Sequence, residues 1–112
     1  MNINIPEQRE VILHYGQDNQ FGIHMEECAE LIQAISKARR WIATSDTATI
    51  HPSIVHDLVE EMADVLICMK QLQEIFYITD ERLEQEVKAK FERQLERMKA
   101  EVNVYEHKGN RT

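Results

Sequence analysis

Glycine, proline and cysteine are scarce in this chain. Three glycines and two prolines among 112 residues, against abundant Glu, Lys, Leu, Ala and Gln, favour long helices over sheets. The two cysteines, Cys28 and Cys68, fall inside helical patterns and are expected to be reduced, buried, small apolar residues. No Cys/His spacing suggests zinc. Basic residues are also in deficit, 13 Lys and Arg against 20 Asp and Glu, for a net charge of −7. That balance argues against a nonspecific binder of nucleic-acid polymers or acidic membranes, which needs a basic face. It leaves a nucleotide possible, because bound divalent cations reverse the local sign. No stretch approaches transmembrane length. The first residues, MNINIPEQRE, lack the basic start and apolar run of a signal peptide, so a cytoplasmic protein is expected.

What is present is helical periodicity. We expect a single domain over 1–112, its core over about 17–102 and a frayed tail over 103–112. Pro6 suits the first turn of an opening helix that turns Val11, Ile12 and Tyr15 inward and stops near Gly16. Asp18 or Asn19 caps a second helix over about 19–42, with Phe21, Met25, Cys28, Ile32 and Ile35 as its buried stripe. Gly22 marks close packing or a late start, and Lys37, Arg39 and Arg40 answer the negative helix end. The polar stretch 43–52 reads as the one clear loop. Ser53 then caps a third helix over about 54–77, striped by Leu58, Met62, Val65, Met69, Leu72 and Phe76. Thr79 or Asp80 caps a fourth over about 81–102, with Leu83, Val87, Phe91, Leu95, Met98 and Val102 on one side. Helices two and three, each on the order of 35 Å long, are long for so short a chain and suggest an oligomer.

Two acid pairs stand apart from the rest. Glu27 and Glu30 share a strip of the second helix with Ile23, Leu31, Ala34 and Ala38; Glu61 and Asp64 share one of the third with Ile54, Leu58, Val65 and Cys68. Both overlap the edge of a core stripe. Other pairs three apart, such as Glu81 and Glu84, line up with Gln85 and Lys88 on a solvated face. Two carboxylates about 5 Å apart repel by roughly 3 kcal/mol at an effective dielectric of 20. Four in one cleft therefore need protonation or, more strongly, a divalent cation. Oxygen-only ligands select Mg²⁺ or Mn²⁺. The competing reading is an ordinary polar flank facing water. A di-iron carboxylate bundle needs Glu-x-x-His on two helices, and the sequence has none.

The stretches EECAELIQAISK and EEMADVLI resemble the all-α nucleoside triphosphate pyrophosphohydrolases, the MazG-like group that also includes the dimeric dUTPases. The signature reads here as Glu26-Glu27-x-x-Glu30 and Glu61-x-x-Asp64, and the resemblance covers roughly 17–97. It implies an all-α, four- to five-helix antiparallel bundle in a homo-oligomer, dimer or tetramer. Glu27, Glu30, Glu61 and Asp64 would be the Mg²⁺ ligands, with Mn²⁺ as a substitute. The substrate would be an NTP or dNTP, cleaved to its monophosphate and pyrophosphate. One of the acids, Glu26 or Glu27 among them, would accept the proton of the attacking water.

Candidate substrate contacts follow from position. Lys37 lies two turns beyond Glu30 on the same side and can meet a phosphate tail. Gln20 and His24 line up with Glu27 at i, i+4, i+7 and can read a base edge or sugar. Lys90, Arg93 and Arg97 fall where the MazG-like group often supplies basic residues. The spacing of 31 between Glu30 and Glu61 is longer than in the most compact MazG domains. A helical oligomer that regulates or adapts without catalysis is the alternative reading.

Overall fold

A computed structural model describes residues 2–44 and 50–109, with side chains through Val104. These form four helices: α1 (Arg9–Tyr15), α2 (Gln17–Thr44), α3 (Pro52–Phe76) and α4 (Asp80–Gly109). The described residues are thus all-α. None of their helices is long and apolar enough to cross a membrane.

Local chemistry explains the breaks. Gly16 separates α1 from α2 by a single residue, at φ 87° and ψ 148°, a region open essentially to glycine alone. Its N–H closes α1 on the Ile12 carbonyl at 2.8 Å, and its own carbonyl opens α2 by accepting from Gln20 N at 3.1 Å. Asp18 therefore lies inside the first turn of α2, where its charge suits the dipole, and neither it nor Asn19 is the cap. Pro6 stands ahead of α1 rather than in its first turn, and Gln8 is the residue at the N-cap position. At α3 the cap is His51, whose Nδ1 accepts from Ser53 N at 3.2 Å; Pro52 takes the first helical position, and Ser53 is one residue inside. Tyr77 ends α3 in the left-handed conformation, φ 55°. Thr79 caps α4 as expected, its Oγ1 accepting from Arg82 N at 3.2 Å. The loop expected over 43–52 lies partly outside the described residues; at its edges α2 runs on to Thr44 and α3 begins at Pro52. The tail expected to fray from 103 is helical to Gly109.

The chain divides into two compact units, Met1–Tyr77 and Ile78–Thr112. In the first, α2 and α3 pack antiparallel. Phe21 near the start of α2 stacks on Phe76 at the end of α3, with centroids 5.8 Å apart, and Gln20 and His24 meet Gln71. At the other end Trp41 of α2 meets the ring of His51, which caps α3, edge-on at 5.7 Å. Helix α1 packs on both.

The face that α2 turns to α3 is not its most apolar one. Gln20, His24 and Ala34 are its buried residues, with Glu27, Leu31 and Ala38 half-buried. The expected stripe is largely on the surface: Met25 is 70% exposed, Ile32 67% and Ile35 51%, and Cys28 is exposed too. On α3 the inward residues are Leu58, Glu61, Asp64, Val65, Cys68 and Gln71, while Met62, Met69 and Phe76 of the expected stripe are exposed. In α1 Ile12 alone is buried; Val11 and Tyr15 are exposed. Close packing does not explain Gly22, since nothing stands within 4 Å of where its Cβ would be. Because α2 extends to Thr44, Lys37, Arg39 and Arg40 precede its last turn, where a helix dipole has little hold.

The second unit is α4. It carries Val87, Phe91, Leu95, Met98 and Val102 along one side, all exposed, with Leu83 half-buried.

Candidate metal centre

Midway along the α2–α3 pair, the antiparallel register sets two turns of acidic residues against each other. Glu27 and Glu30 come from α2 and Glu61 and Asp64 from α3. One carboxylate oxygen of each lies within 4.8 Å of those of the other three. The sequence placed these acids at the edge of the core; the structure places them between the helices. Glu27, Glu61 and Asp64 are half-buried and Glu30 is exposed.

This crowding has an electrostatic signature. Desolvation, together with the charges of Asp64 and Glu30, pushes the Glu27 carboxyl up to about 7. Glu61 is raised as well, by desolvation and by the nearby Glu30. Burial pushes the Cys68 thiol, next to this site, up to about 11, with the Glu27 charge adding to the effect. It is an unreactive neighbour rather than a nucleophile.

The donor set fits a hard divalent cation. Glu27 Oε2 and Glu61 Oε2 are buried and have no hydrogen-bond partner among the described residues, a costly condition for a carboxylate oxygen. With their oxygens all within 4.8 Å of one another, the four acids are grouped closely enough to share one such ion. All four donors are carboxylates, with no nitrogen or sulfur to favour zinc or copper.

Beside the acids runs a buried polar chain whose orientations are fixed from one end. The carbonyl of Pro6 can only accept, so Gln8 Nε2 donates to it at 2.9 Å. Gln8 Oε1 then accepts from Gln71 Nε2 at 3.1 Å. This leaves Gln71 Oε1 to accept from Gln20 Nε2 at 3.0 Å and from His24 Nε2 at 2.7 Å. His24 must therefore carry a proton on Nε2, which in the neutral imidazole leaves Nδ1 as the acceptor. Both His24 Nδ1 and Gln20 Oε1 are buried without a partner among the described residues. The backbone N–H of Gln8 donates to both oxygens of Glu74, at 3.0 and 2.9 Å, tying the N-terminal segment to α3.

On the opposite side of the acids a groove of about 480 Å³ opens between the helices. Glu30, Lys37, Arg40, Asp57 and Glu61 are among the residues lining it. Lys37 thus stands next to the acid cluster, as its position two turns beyond Glu30 suggested. Glu26 is exposed and is not one of the four converging acids. Lys90, Arg93 and Arg97 are exposed on α4, in the second unit, where Lys90 Nζ and Arg93 Nη2 approach Glu86 Oε1 at 4.0 and 3.7 Å.

Sequence reading missed Gln71, Gln8, Asp57 and Arg40. Gln71 and Asp57 had a signal: they extend the strip of Glu61, Asp64 and Cys68 at alternating spacings of three and four. Gln8 lies outside any periodic segment and had none. The fold and the site together define an all-α protein with an interhelical carboxylate cluster. Comparison with protein-family models, with curated proteins and with solved structures gives no match.

Proposed function

We propose that the chain is a Mg²⁺-dependent nucleoside triphosphate pyrophosphohydrolase of the MazG-like all-α group. Supporting the reading is the convergence of four carboxylates from two helices, with two buried oxygens left unpartnered, where the Glu-Glu-x-x-Glu and Glu-x-x-Asp motifs fall. Glu27, Glu30, Glu61 and Asp64 would hold Mg²⁺, or Mn²⁺ in its place. When bound, the cation would neutralise phosphate charge and make water a better nucleophile.

The residues themselves have separable tasks. Water attacks one of the two phosphorus atoms that flank the α–β bridging oxygen, the bond from that phosphorus to the bridging oxygen breaks, and the other half leaves with the electron pair, giving monophosphate and pyrophosphate. Glu27 and Asp64 lie close across the helix pair, and whichever acid is left off the cation would take the water's proton. The Gln71 network holds the α2 and α3 backbones in the register that brings the acids together. The Met25, Ile32 and Ile35 face supports a homo-oligomer, because an apolar patch of this kind seeks a partner surface.

The test is a panel of common and modified NTPs and dNTPs with Mg²⁺, scored for pyrophosphate rather than phosphate. At least one is expected to be turned over, with activity lost in Glu27→Gln and Asp64→Asn while helicity is kept. Silence across the whole panel, with no Mg²⁺-dependent rise in melting temperature, would leave the non-catalytic helical oligomer as the better account.

A further inference from the structure

We propose that Gln8 is a positioning residue for the carboxylate cluster: it sets the direction in which the buried hydrogen bonds beside the acids run, and with it the tautomer of His24. The direction stands on the hydrogen-bond geometry alone. Its effect on cation binding rests on the metal reading of the cluster.

The chain from Pro6 to His24 has two polarities open to it. As it stands, four contacts run one way: Gln8 Nε2 to the Pro6 carbonyl, Gln71 Nε2 to Gln8 Oε1, and Gln20 Nε2 and His24 Nε2 to Gln71 Oε1. Turning over the three amides would keep three of the four. Gln8 would then donate to Gln71, and the two hydrogens of Gln71 Nε2 would serve Gln20 and an imidazole whose proton had moved to Nδ1. Only the contact with Pro6 would fail, with two carbonyl oxygens facing each other at 2.9 Å. A main-chain carbonyl can only accept, so that one contact selects the direction of all the rest. Gln8 carries the selection inward. It is buried, as are Gln20, His24 and Gln71, so water is a poor substitute for a missing partner.

Placement ties this chain to the acids. Gln20 and His24 lie two turns and one turn ahead of Glu27 on α2, and Gln71 lies one turn beyond Cys68 and two beyond Asp64 on α3. The bonds therefore clamp the two helices beside the point where four carboxylates repel one another. Gln8 is also held by its main chain, whose N–H donates to both oxygens of Glu74, one turn along α3 from Gln71. Replacing the Gln8 side chain thus removes the selector and leaves the segment docked.

The full chain, labelled with ¹⁵N-histidine and held at about pH 9, where an imidazole is neutral, gives the first reading. The signal of His24, identified by its loss in His24→Gln, should be that of an Nε2–H ring. Gln8→Met keeps the bulk of the side chain without its amide, and both tautomers of His24 should then be seen. Gln8→Lys, which only donates, should move the proton to Nδ1, with the Glu74 carboxylate at hand to balance its charge. Mn²⁺ affinity, followed by the paramagnetic resonance of the free ion, should fall a few-fold in Gln8→Met. A wild-type His24 protonated on Nδ1 would overturn the proposal, and so would a Gln8→Met chain that keeps either the single tautomer or the full Mn²⁺ affinity. No Mn²⁺ binding in the wild type, with the tautomer still following position 8, would instead remove the metal reading and leave the direction of the chain standing.

Discussion

His24 of α2 and Gln71 of α3 meet in a buried contact of 2.7 Å between Nε2 and Oε1. Gln71 also accepts from Gln20 and donates to Gln8, so one amide serves three partners on two segments, α2 and the stretch ahead of α1. Gln71→Leu removes all three bonds and strands polar groups out of water. Each stranded group costs about 1–3 kcal/mol, so an overall loss of roughly 2–4 kcal/mol is expected in urea unfolding. Met69→Ala, at an exposed position on the same helix, should cost far less. A double-mutant cycle between His24 and Gln71 should give a coupling above about 0.5 kcal/mol. Additive effects would show that the network does not act as a unit.

The acid cluster makes the metal-free protein sensitive to pH in a definite direction. Glu27 is raised from an ordinary value of 4.5 to about 7, and Glu61 is raised too. A carboxyl so raised binds its proton more tightly in the folded state. Its stabilising contribution is complete below 4.5 and is lost as pH rises through about 7. In EDTA, the melting temperature should therefore fall between pH 5 and 7.5, and Glu27→Gln should flatten that fall. Mg²⁺ should reverse it at pH 7.5, by about 2.7 kcal/mol at a hundredfold excess over its dissociation constant. The variant should lose most of this Mg²⁺ response. A wild-type curve that is flat with pH and indifferent to Mg²⁺ would count against both the crowding and the site.

The four acids could be read from sequence because their spacing fixes which helix face they share, whatever the helices pack against. The packing face itself could not. Met25, Cys28, Ile32 and Ile35 are more apolar than Gln20, His24, Glu27, Leu31 and Ala34, so periodicity alone chooses the wrong side of α2. Polar residues turned inward are what a site demands, and such places are where sequence rules yield. The cap at His51 was missed because an imidazole acceptor is an uncommon cap beside the adjacent serine. The tie between Gln8 and Glu74 joins residues 66 apart, and no local pattern encodes it.

The two glycines of the α1–α2 region should respond oppositely to alanine. Gly16 is held at φ 87°, where any side chain is strained, so Gly16→Ala should destabilise by about 1–3 kcal/mol although the space around it is open. Gly22 is helical with open space about it. Gly22→Ala should stabilise by roughly 0.5–1 kcal/mol through the backbone freedom it removes. Chemical denaturation of both variants checks the pair. A stabilised Gly16→Ala would mean that the break between α1 and α2 does not rest on glycine geometry.

The outward stripe of α2 makes a prediction about assembly. Met25, Ile32 and Ile35 are all more than half exposed, and Val59 and Met62 of α3 are exposed to a similar degree. On a monomer such a stripe leaves several large apolar side chains in water, each worth about 1.5–3 kcal/mol when buried. Light scattering on the purified chain should give at least twice the 13.2 kDa of one copy. Ile32→Glu with Ile35→Glu places two carboxylates on the stripe and leaves the α2–α3 face untouched. It should shift the mass to that of one copy while retaining helicity and the Mg²⁺ response, since the four acids come from a single chain. A monomeric wild type would exclude assembly through this stripe. A double variant that dissociates and also loses Mg²⁺ binding would show that the carboxylate cluster needs the neighbouring copy to keep its shape.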